Sequence, residues 1–456
     1  MRPQSPIQQT GPTILTAFNR FSRRALIIAI AAAAALAPRP AQAEAQLLIE
    51  AATGKVLHAE NATYPWYPAS VTKLMTAYTT LRAIKEKRIT FNTLITMSRS
   101  AVAQQPTKMG FKLGTTLTID NALKMLMVKS ANDVAVAIAE GVGGSIEGFA
   151  DLMNANARRL GMSQSNFVNP NGLPAENHVT SARDLGILAR ALIQEFPEAD
   201  SYWHIHSIRY GNRVMKNYNN LIDRYPGADG MKTGFICASG YNVVASATRN
   251  GRRLIAVVLG AYSGAVRAQK AAQLLERGFG SGGLTWLTPS LGTVDAMAPI
   301  DAQPPNLREE MCGGHRRKPP SEDNQEEEVE AAGTPAEGSE AGNGQDANSQ
   351  AFMLSNLKTA AGKFVLGPPV DTTPPVVVFT GPADRPDSVA QTAGGGAKKK
   401  KKVAAKPAAA KSSEAKSADT KPSAEAKPAA AQKPATAQKP AATAKPAKPK
   451  VSSVAQ

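Results

Sequence analysis

Pro68-Ala69-Ser70-Val71-Thr72-Lys73-Leu74-Met75-Thr76-Ala77-Tyr78 is the stretch around which the rest of the chain arranges itself. Pro68 and Ser70 are both helix-start residues, and Leu74, Tyr78 and Leu81 recur at the spacing of one buried helix stripe. With Ser70 opening the helix, Lys73 falls one turn further on the same face, so a hydroxyl and an amine share one space. The serine then sits at the positive end of the helix dipole among unpaired backbone N–H groups, which suits a reaction that develops negative charge on oxygen. That dipole and an apolar wall also disfavour a second positive charge, which drives the lysine towards the neutral amine that can accept a proton. Ser-x-x-Lys is cheap by itself. Ser413-Glu414-Ala415-Lys416 repeats it in low-complexity sequence.

Working outward, residues 46–50 and 55–59 flank Ala52-Thr53-Gly54 and read as a hairpin ahead of the Ser70 helix. After a mixed segment, Thr118 caps a helix over Leu123, Leu126 and Met127 that ends near Lys129. A second helix over 134–140 follows almost at once, which makes Ser130-Ala131-Asn132 a tight loop between the two. Further helices are predicted over 146–160 and, behind Ser181 as cap, over 182–194. From Gly230 the apolar period changes to that of strands, at 231–235, 241–248 and 253–259, and a closing helix spans 266–277. Arg249-Asn250-Gly251-Arg252 joins the last two strands with the strongest hairpin signal in the chain. Strands at both ends with helices between them predict an α+β fold: an antiparallel sheet of about five strands backed by a helical cluster, not a doubly wound sheet.

The chain divides into four parts. Residues 1–43 have a basic start (Arg20, Arg23, Arg24), an apolar run over 25–37 and Ala41-Gln42-Ala43 before Glu44, the pattern of a signal peptide cleaved near Ala43. This predicts export to the periplasm or cell envelope, with Sec and twin-arginine routes both open. Residues 44–283 form one catalytic-sized globular domain, 284–397 a Pro-rich, acidic and Gly-rich linker that is mostly disordered, and 398–456 a Lys/Ala/Pro tail. The tail carries fifteen lysines against three acidic residues, and so twelve of the seventeen net positive charges. Basicity confined to a segment without aromatics argues against nucleic acid as a partner and leaves anionic lipid, a cell-wall polymer or a plain solvated spacer. Cys237 and Cys312, one in strand sequence and one in the linker, are read as two unpaired thiols. No zinc-ligand spacing is present, and no metal or cofactor is expected.

Two further motifs stand in order after Ser70: Ser130-x-Asn132, and then Lys232-Thr233-Gly234. A loop serine can relay a proton to a leaving nitrogen, an asparagine can grip a peptide amide, and Lys and Thr on an edge strand can hold a carboxylate. With Ser-x-x-Lys first, the three together are the signature of penicillin-recognising serine enzymes. The chain resembles the serine D-alanyl-D-alanine carboxypeptidases, the low-molecular-mass penicillin-binding proteins. The likeness covers about 45–279, including Lys129-Ser130-Ala131-Asn132-Asp133, Asn171-Gly172-Leu173 with His178, Asp229-Gly230-Met231-Lys232-Thr233-Gly234, and Gly240-Tyr241-Asn242. It implies removal of the terminal D-alanine from peptidoglycan pentapeptide stems through an acyl-enzyme on Ser70, with β-lactams as covalent inhibitors.

The resemblance also implies roles. Neutral Lys73 takes the Ser70 proton, the backbone N–H groups of Ser70 and Phe235 hold the oxyanion, and Ser130, paired with Lys232, protonates the departing D-alanine. Asn132 holds the acyl-side amide, while Thr233, Gly234 on the edge strand and Arg267 receive the free carboxylate. The sequence departs from the family after Gly280, where neither a second all-β domain nor an amphipathic C-terminal anchor follows, and in having Phe235 after Lys-Thr-Gly. A β-lactamase or an endopeptidase of the same fold is the alternative, and a non-catalytic wall-tethering protein a distant one. Glu176 lies near the loop where a lactamase needs its second base, but Asn177-His178-Val179-Thr180 is not the Glu-x-x-Leu-Asn pattern. With lysine as base, His178, His204 and His206 have no triad role. Asp184 is read as serving the first turn of its helix, and Tyr64, Trp66 and Tyr67 as packing beside the Ser70 helix.

Overall fold

In the computed structural model, residues 44–280, 290–314, 366–370 and 373–384 are described. The expected signal peptide and the basic tail lie outside the described residues. A five-stranded antiparallel sheet runs in the order β2-β1-β9-β8-β7, from β1 (Ala45–Glu50), β2 (Val56–Glu60), β7 (Ala228–Ile236), β8 (Gly240–Arg249) and β9 (Arg252–Ala261). The first strand thus pairs with the last, Leu47 opposite Val257, and the helices between them are gathered on one side. The β8–β9 turn is the one expected. Asn250 and Gly251 both take positive φ, 50° and 74°, between the paired Arg249 and Arg252.

Both faces of the sheet are covered, so β9 is apolar without alternation, and its side chains are shared between two cores. Ile255, Val257 and Leu259 face the helical cluster with Leu47 and Ile49. Leu254, Ala256 and Val258 face the closing helix with Leu48, against Ala268, Ala271, Ala272 and Leu275.

The helical cluster comprises α1 (Lys73–Lys85), α2 (Ile119–Val128), α3 (Asn132–Gly143), α4 (Ile146–Arg159) and α5 (Ala182–Glu195), and the closing helix is α6 (Gly264–Gly280). Thr118, Ser145 and Ser181 each accept the backbone N–H three residues on and so start α2, α4 and α5. The central helix differs from expectation in two ways. Ser70 lies inside a 3₁₀ turn, Ala69–Thr72, and the α-helix proper begins at Lys73. The first turns of α1 are also buried all round rather than along one stripe, which is possible because the inward threonines are bonded, as Thr76 Oγ1 is to the Pro170 carbonyl at 2.6 Å.

The reading of two free thiols is wrong: Cys237 and Cys312 form a disulfide with Cα atoms 5.7 Å apart. Spacing alone could not reveal it, because seventy-five residues separate the two. The segment read as linker also contributes to the domain. Val294, Leu307 and Met311 are buried, and Leu307 N–H donates to the Ala238 carbonyl at 3.0 Å beside the disulfide. A short ladder pairs β3 (Leu94–Thr96) with β4 (Thr116–Thr118), and further on β10 (Val376–Val377) lies parallel to β5 (Ser207–Tyr210), which pairs with β6 (Arg213–Lys216). Val378 is fully buried, and Phe379 N–H donates to Asn121 Oδ1 at 3.1 Å. Among the described residues no helix is long and apolar enough to cross a membrane, and no cluster of ligand residues could hold a metal ion.

Candidate active site

The Ser70 turn is pressed between a loop and a strand. On one side Gly172 has φ +82°, and a Cβ there would stand 1.8 Å from the Ala69 carbonyl oxygen. On the other, a Cβ on Gly234 of β7 would come within 2.7 Å of the Ser70 nitrogen. Glycine in Lys-Thr-Gly is therefore demanded by the close approach of the edge strand to the turn itself. Asn242 of β8 ties the same turn down by donating from Nδ2 to the Tyr67 and Pro68 carbonyls, at 3.0 and 3.1 Å. Two non-glycine residues here hold positive φ, Ala69 at 51° and Ser130 at 56°, a strained backbone that the surrounding contacts keep in place.

Lys73 is fully buried. Its Nζ lies 2.9 Å from Ser70 Oγ, 2.7 Å from Asn132 Oδ1 and 2.7 Å from the Asn171 carbonyl. Asn132 N–H donates to the Thr107 carbonyl and its Nδ2 to the Gln105 carbonyl, so the loop before α2 and the start of α3 lock together. Thr107 Oγ1 closes the arrangement by donating to the Ser130 carbonyl at 2.8 Å.

The expected residues gather here, with three differences. Asn132 is engaged at both ends of its amide, with Lys73 and Gln105, rather than presented to the cleft. Ser130 Oγ is buried without a hydrogen-bond partner, so its expected pairing with Lys232 is not made; the Lys232 ammonium donates to the Thr233 carbonyl at 3.1 Å, and Thr233 Oγ1 is likewise buried and unpartnered. These two orphaned hydroxyls stand out because buried polar atoms are nearly always bonded, and both belong to segments that hold the Ser70 and Lys73 side chains in place. The third difference concerns Arg267, at the start of α6. It is buried, with Nη1 3.3 Å from the Asn242 carbonyl and Nη2 3.5 Å from that of Tyr218. The Phe235 ring lies against Tyr241, with centroids 4.3 Å apart and planes tilted by 30°.

Some supporting residues were not assigned roles from sequence. The Asn171 carbonyl holds Lys73, a backbone contact that no side-chain pattern announces. His178 is buried, takes the Val168 N–H on Nδ1 and so donates from Nε2 to Thr72 Oγ1 at 2.9 Å, bracing the turn next to Lys73. Burial pushes its pKa down to about 4, which keeps the ring neutral. His204 and His206 pair instead with Asp200 and Asp223. Asp184 lies in its helix's first turn, as read, and its carboxylate also accepts from Gln164 N–H, Ser165 Oγ and Arg183. Trp66 is core, donating to the Ser239 carbonyl, and Glu176 is exposed.

The D-alanyl-D-alanine carboxypeptidase family model, Peptidase S11, matches residues 31–263. Among curated relatives, the D-alanyl-D-alanine carboxypeptidase DacC of Escherichia coli is 36% identical over 244 residues, which is 52% of this chain and 61% of that protein. Among solved structures, penicillin binding protein 5 from Haemophilus influenzae aligns with a TM-score of 0.51 and 33% identity over 54% of this chain and 73% of that one. Penicillin binding protein 6B from Escherichia coli aligns at 0.50 and 35%, over 54% and 80%. The chain spans about three fifths of the length of the curated relatives it matches.

Proposed function

The chain belongs to the D-alanyl-D-alanine carboxypeptidase family, and from that premise we propose that it is an exported serine carboxypeptidase that removes the terminal D-alanine from peptidoglycan stem peptides. The observation that carries this reading is the set of contacts around Lys73 Nζ. The Asn171 carbonyl can only accept a hydrogen bond and Asn132 Oδ1 likewise, so each takes one N–H of the Lys73 amine and fixes Nζ in place. Nζ so held lies 2.9 Å from Ser70 Oγ, within reach of its proton when the amine is neutral.

Ser70 Oγ attacks the carbonyl of the penultimate D-alanine while Lys73 takes the hydroxyl proton. The oxyanion is held by the Ser70 and Phe235 N–H groups. Collapse breaks the peptide bond, Ser130 passes its proton to the departing D-alanine nitrogen and takes the one held by Lys73, and water then attacks the acyl group, giving one proton back to Ser70 as the shortened peptide leaves. Thr233 Oγ1 and Arg267 receive the terminal carboxylate; a site built for that charge rejects internal peptide bonds. The same nucleophile opens β-lactam rings. Exposed Glu176 argues against a lactamase, which needs a second base in the site. A disulfide fits an oxidising compartment and thus export.

Intact-mass spectrometry tests the reading. Incubation with penicillin should add one drug mass, mapped to the Ser70 peptide, and incubation with an acyl-D-Ala-D-Ala peptide should release one alanine. Both should vanish in Ser70→Ala. Release of alanine by that variant, or rapid multiple-turnover hydrolysis of penicillin by the parent, would overturn it.

A further inference from the structure

On the carboxypeptidase reading the departing D-alanine is gripped at two ends, its nitrogen by Ser130 and its carboxylate by Thr233 and Arg267. Those side chains stand on elements far apart in sequence: the loop between α2 and α3, the edge strand β7 and the start of α6. The nitrogen receives its proton only if the spacing of the two grips matches the length of one amino acid, and an error of about 1 Å can cost roughly 10²-fold in rate. The three elements therefore have to be held in register.

The segment between β6 and β7 joins them within three residues. Tyr218 is buried, and its hydroxyl accepts from Lys129 Nζ at 2.6 Å. Lys129 caps the end of α2 and directly precedes Ser130, whose backbone is in the left-handed region with φ 56°. From the same residue the Tyr218 carbonyl accepts from Arg267 Nη2 at 3.5 Å, while the Asn242 carbonyl takes Nη1 and the guanidinium carbon lies 5.8 Å from the centre of the Tyr241 ring. Next in the chain, Asn219 is buried and donates from Nδ2 to the Gly230 carbonyl of β7 at 2.8 Å, two residues before Lys232. The segment is itself fixed. Asn217 donates to the Ile205 carbonyl from Nδ2 and to the His206 carbonyl from its backbone, and its Oδ1 accepts the Asn219 N–H.

Resting on the carboxypeptidase reading, we propose that Tyr218 is a positioning residue for protonation of the leaving group. Its hydroxyl and its carbonyl fix the Ser130 turn against Arg267, and Asn219 fixes both against β7, so that a D-amino acid anchored by its carboxylate brings its nitrogen to the Ser130 hydroxyl. Removing the Tyr218 hydroxyl withdraws an acceptor from a partly buried ammonium beside a strained serine, the point where the register has least to spare.

A leaving group that needs no proton separates this role from general support of the fold. An acyl-D-Ala thioester of thioglycolate keeps the carboxylate but loses its sulfur as a thiolate, whereas the nitrogen of acyl-D-Ala-D-Ala must be protonated as the bond breaks. The full chain is compared as parent, Tyr218→Phe, Lys129→Met and the double variant, with active sites counted by the end point of penicillin labelling. The expected kcat/KM on the peptide falls about tenfold in each single variant and no further in the double one, because both changes remove one bond. On the thioester it stays within about twofold of the parent. An equal fall on both substrates would reduce Tyr218 to a support of the fold or of the carboxylate grip and overturn the proposal. An unchanged peptide rate in both single variants, or losses that multiply in the double variant, would overturn it as well. A parent that releases no alanine from the peptide overturns the carboxypeptidase reading and this proposal with it, a result distinct from the other three.

Discussion

Lys73 is a buried amine held against Ser70 Oγ, Asn132 Oδ1 and the Asn171 carbonyl. Replacing it with alanine should lower the penicillin acylation rate by about 10²–10⁴-fold, the usual worth of a positioned general base, with the fold intact by circular dichroism. Gly234→Ala tests the close approach rather than the chemistry. The added methyl meets backbone on the Ser70 turn at 2.7 Å, where nothing flexible can yield, so acylation should fall steeply although no polar group has been removed. His178 supplies a pH dependence of stability. Its pKa falls from 6.5 to about 4 on folding, so the unfolded chain binds more protons between those values and stability drops as pH falls through that window. The loss should reach roughly 3 kcal/mol near pH 4, at about 1.4 kcal/mol per pH unit, and His178→Gln should flatten it in urea titrations between pH 7 and 4. Ser70 and Lys73 were legible in the sequence because three residues of helix fix their separation. The Asn171 carbonyl was not, because any residue carries one.

The helices and strands of the domain form nearly where period and caps place them, since each is set by local pattern. The segments beyond α6 are different. Residues 290–314 carry three buried apolar side chains and one half of the disulfide, set among polar sequence that by composition reads as linker. They bury because the β1–β2 turn, α5 and the β7–β8 turn offer them complementary surface, which no local signal records. Reduction of the Cys237–Cys312 bond, or Cys312→Ser, should therefore cost about 2–4 kcal/mol, read from the denaturant midpoint, and expose 290–314 to limited proteolysis. Likewise Val378→Ala should cost roughly 1–2 kcal/mol, because two buried methyl-sized groups are lost from a fully enclosed site.

The protein as a chain has two kinds of sequence, one that buries surface on both faces of a sheet and one that is charged and repetitive. Removing residues 398–456 should leave the melting temperature and penicillin acylation unchanged, since that segment has no apolar period with which to support a core; a drop in either would show that it does. The order of motifs, the antiparallel α+β plan and the meeting of Ser70 with Lys73 could all be read from residues alone, because helix spacing, caps and an Asn-Gly turn act over a few residues. The disulfide, the return of 373–384 to the edge of β5 and the orphaned hydroxyls of Ser130 and Thr233 could not. Each depends on groups scores of residues apart meeting in space, and such meetings are settled by packing of the complete core, where shape and burial at one place are set by every other.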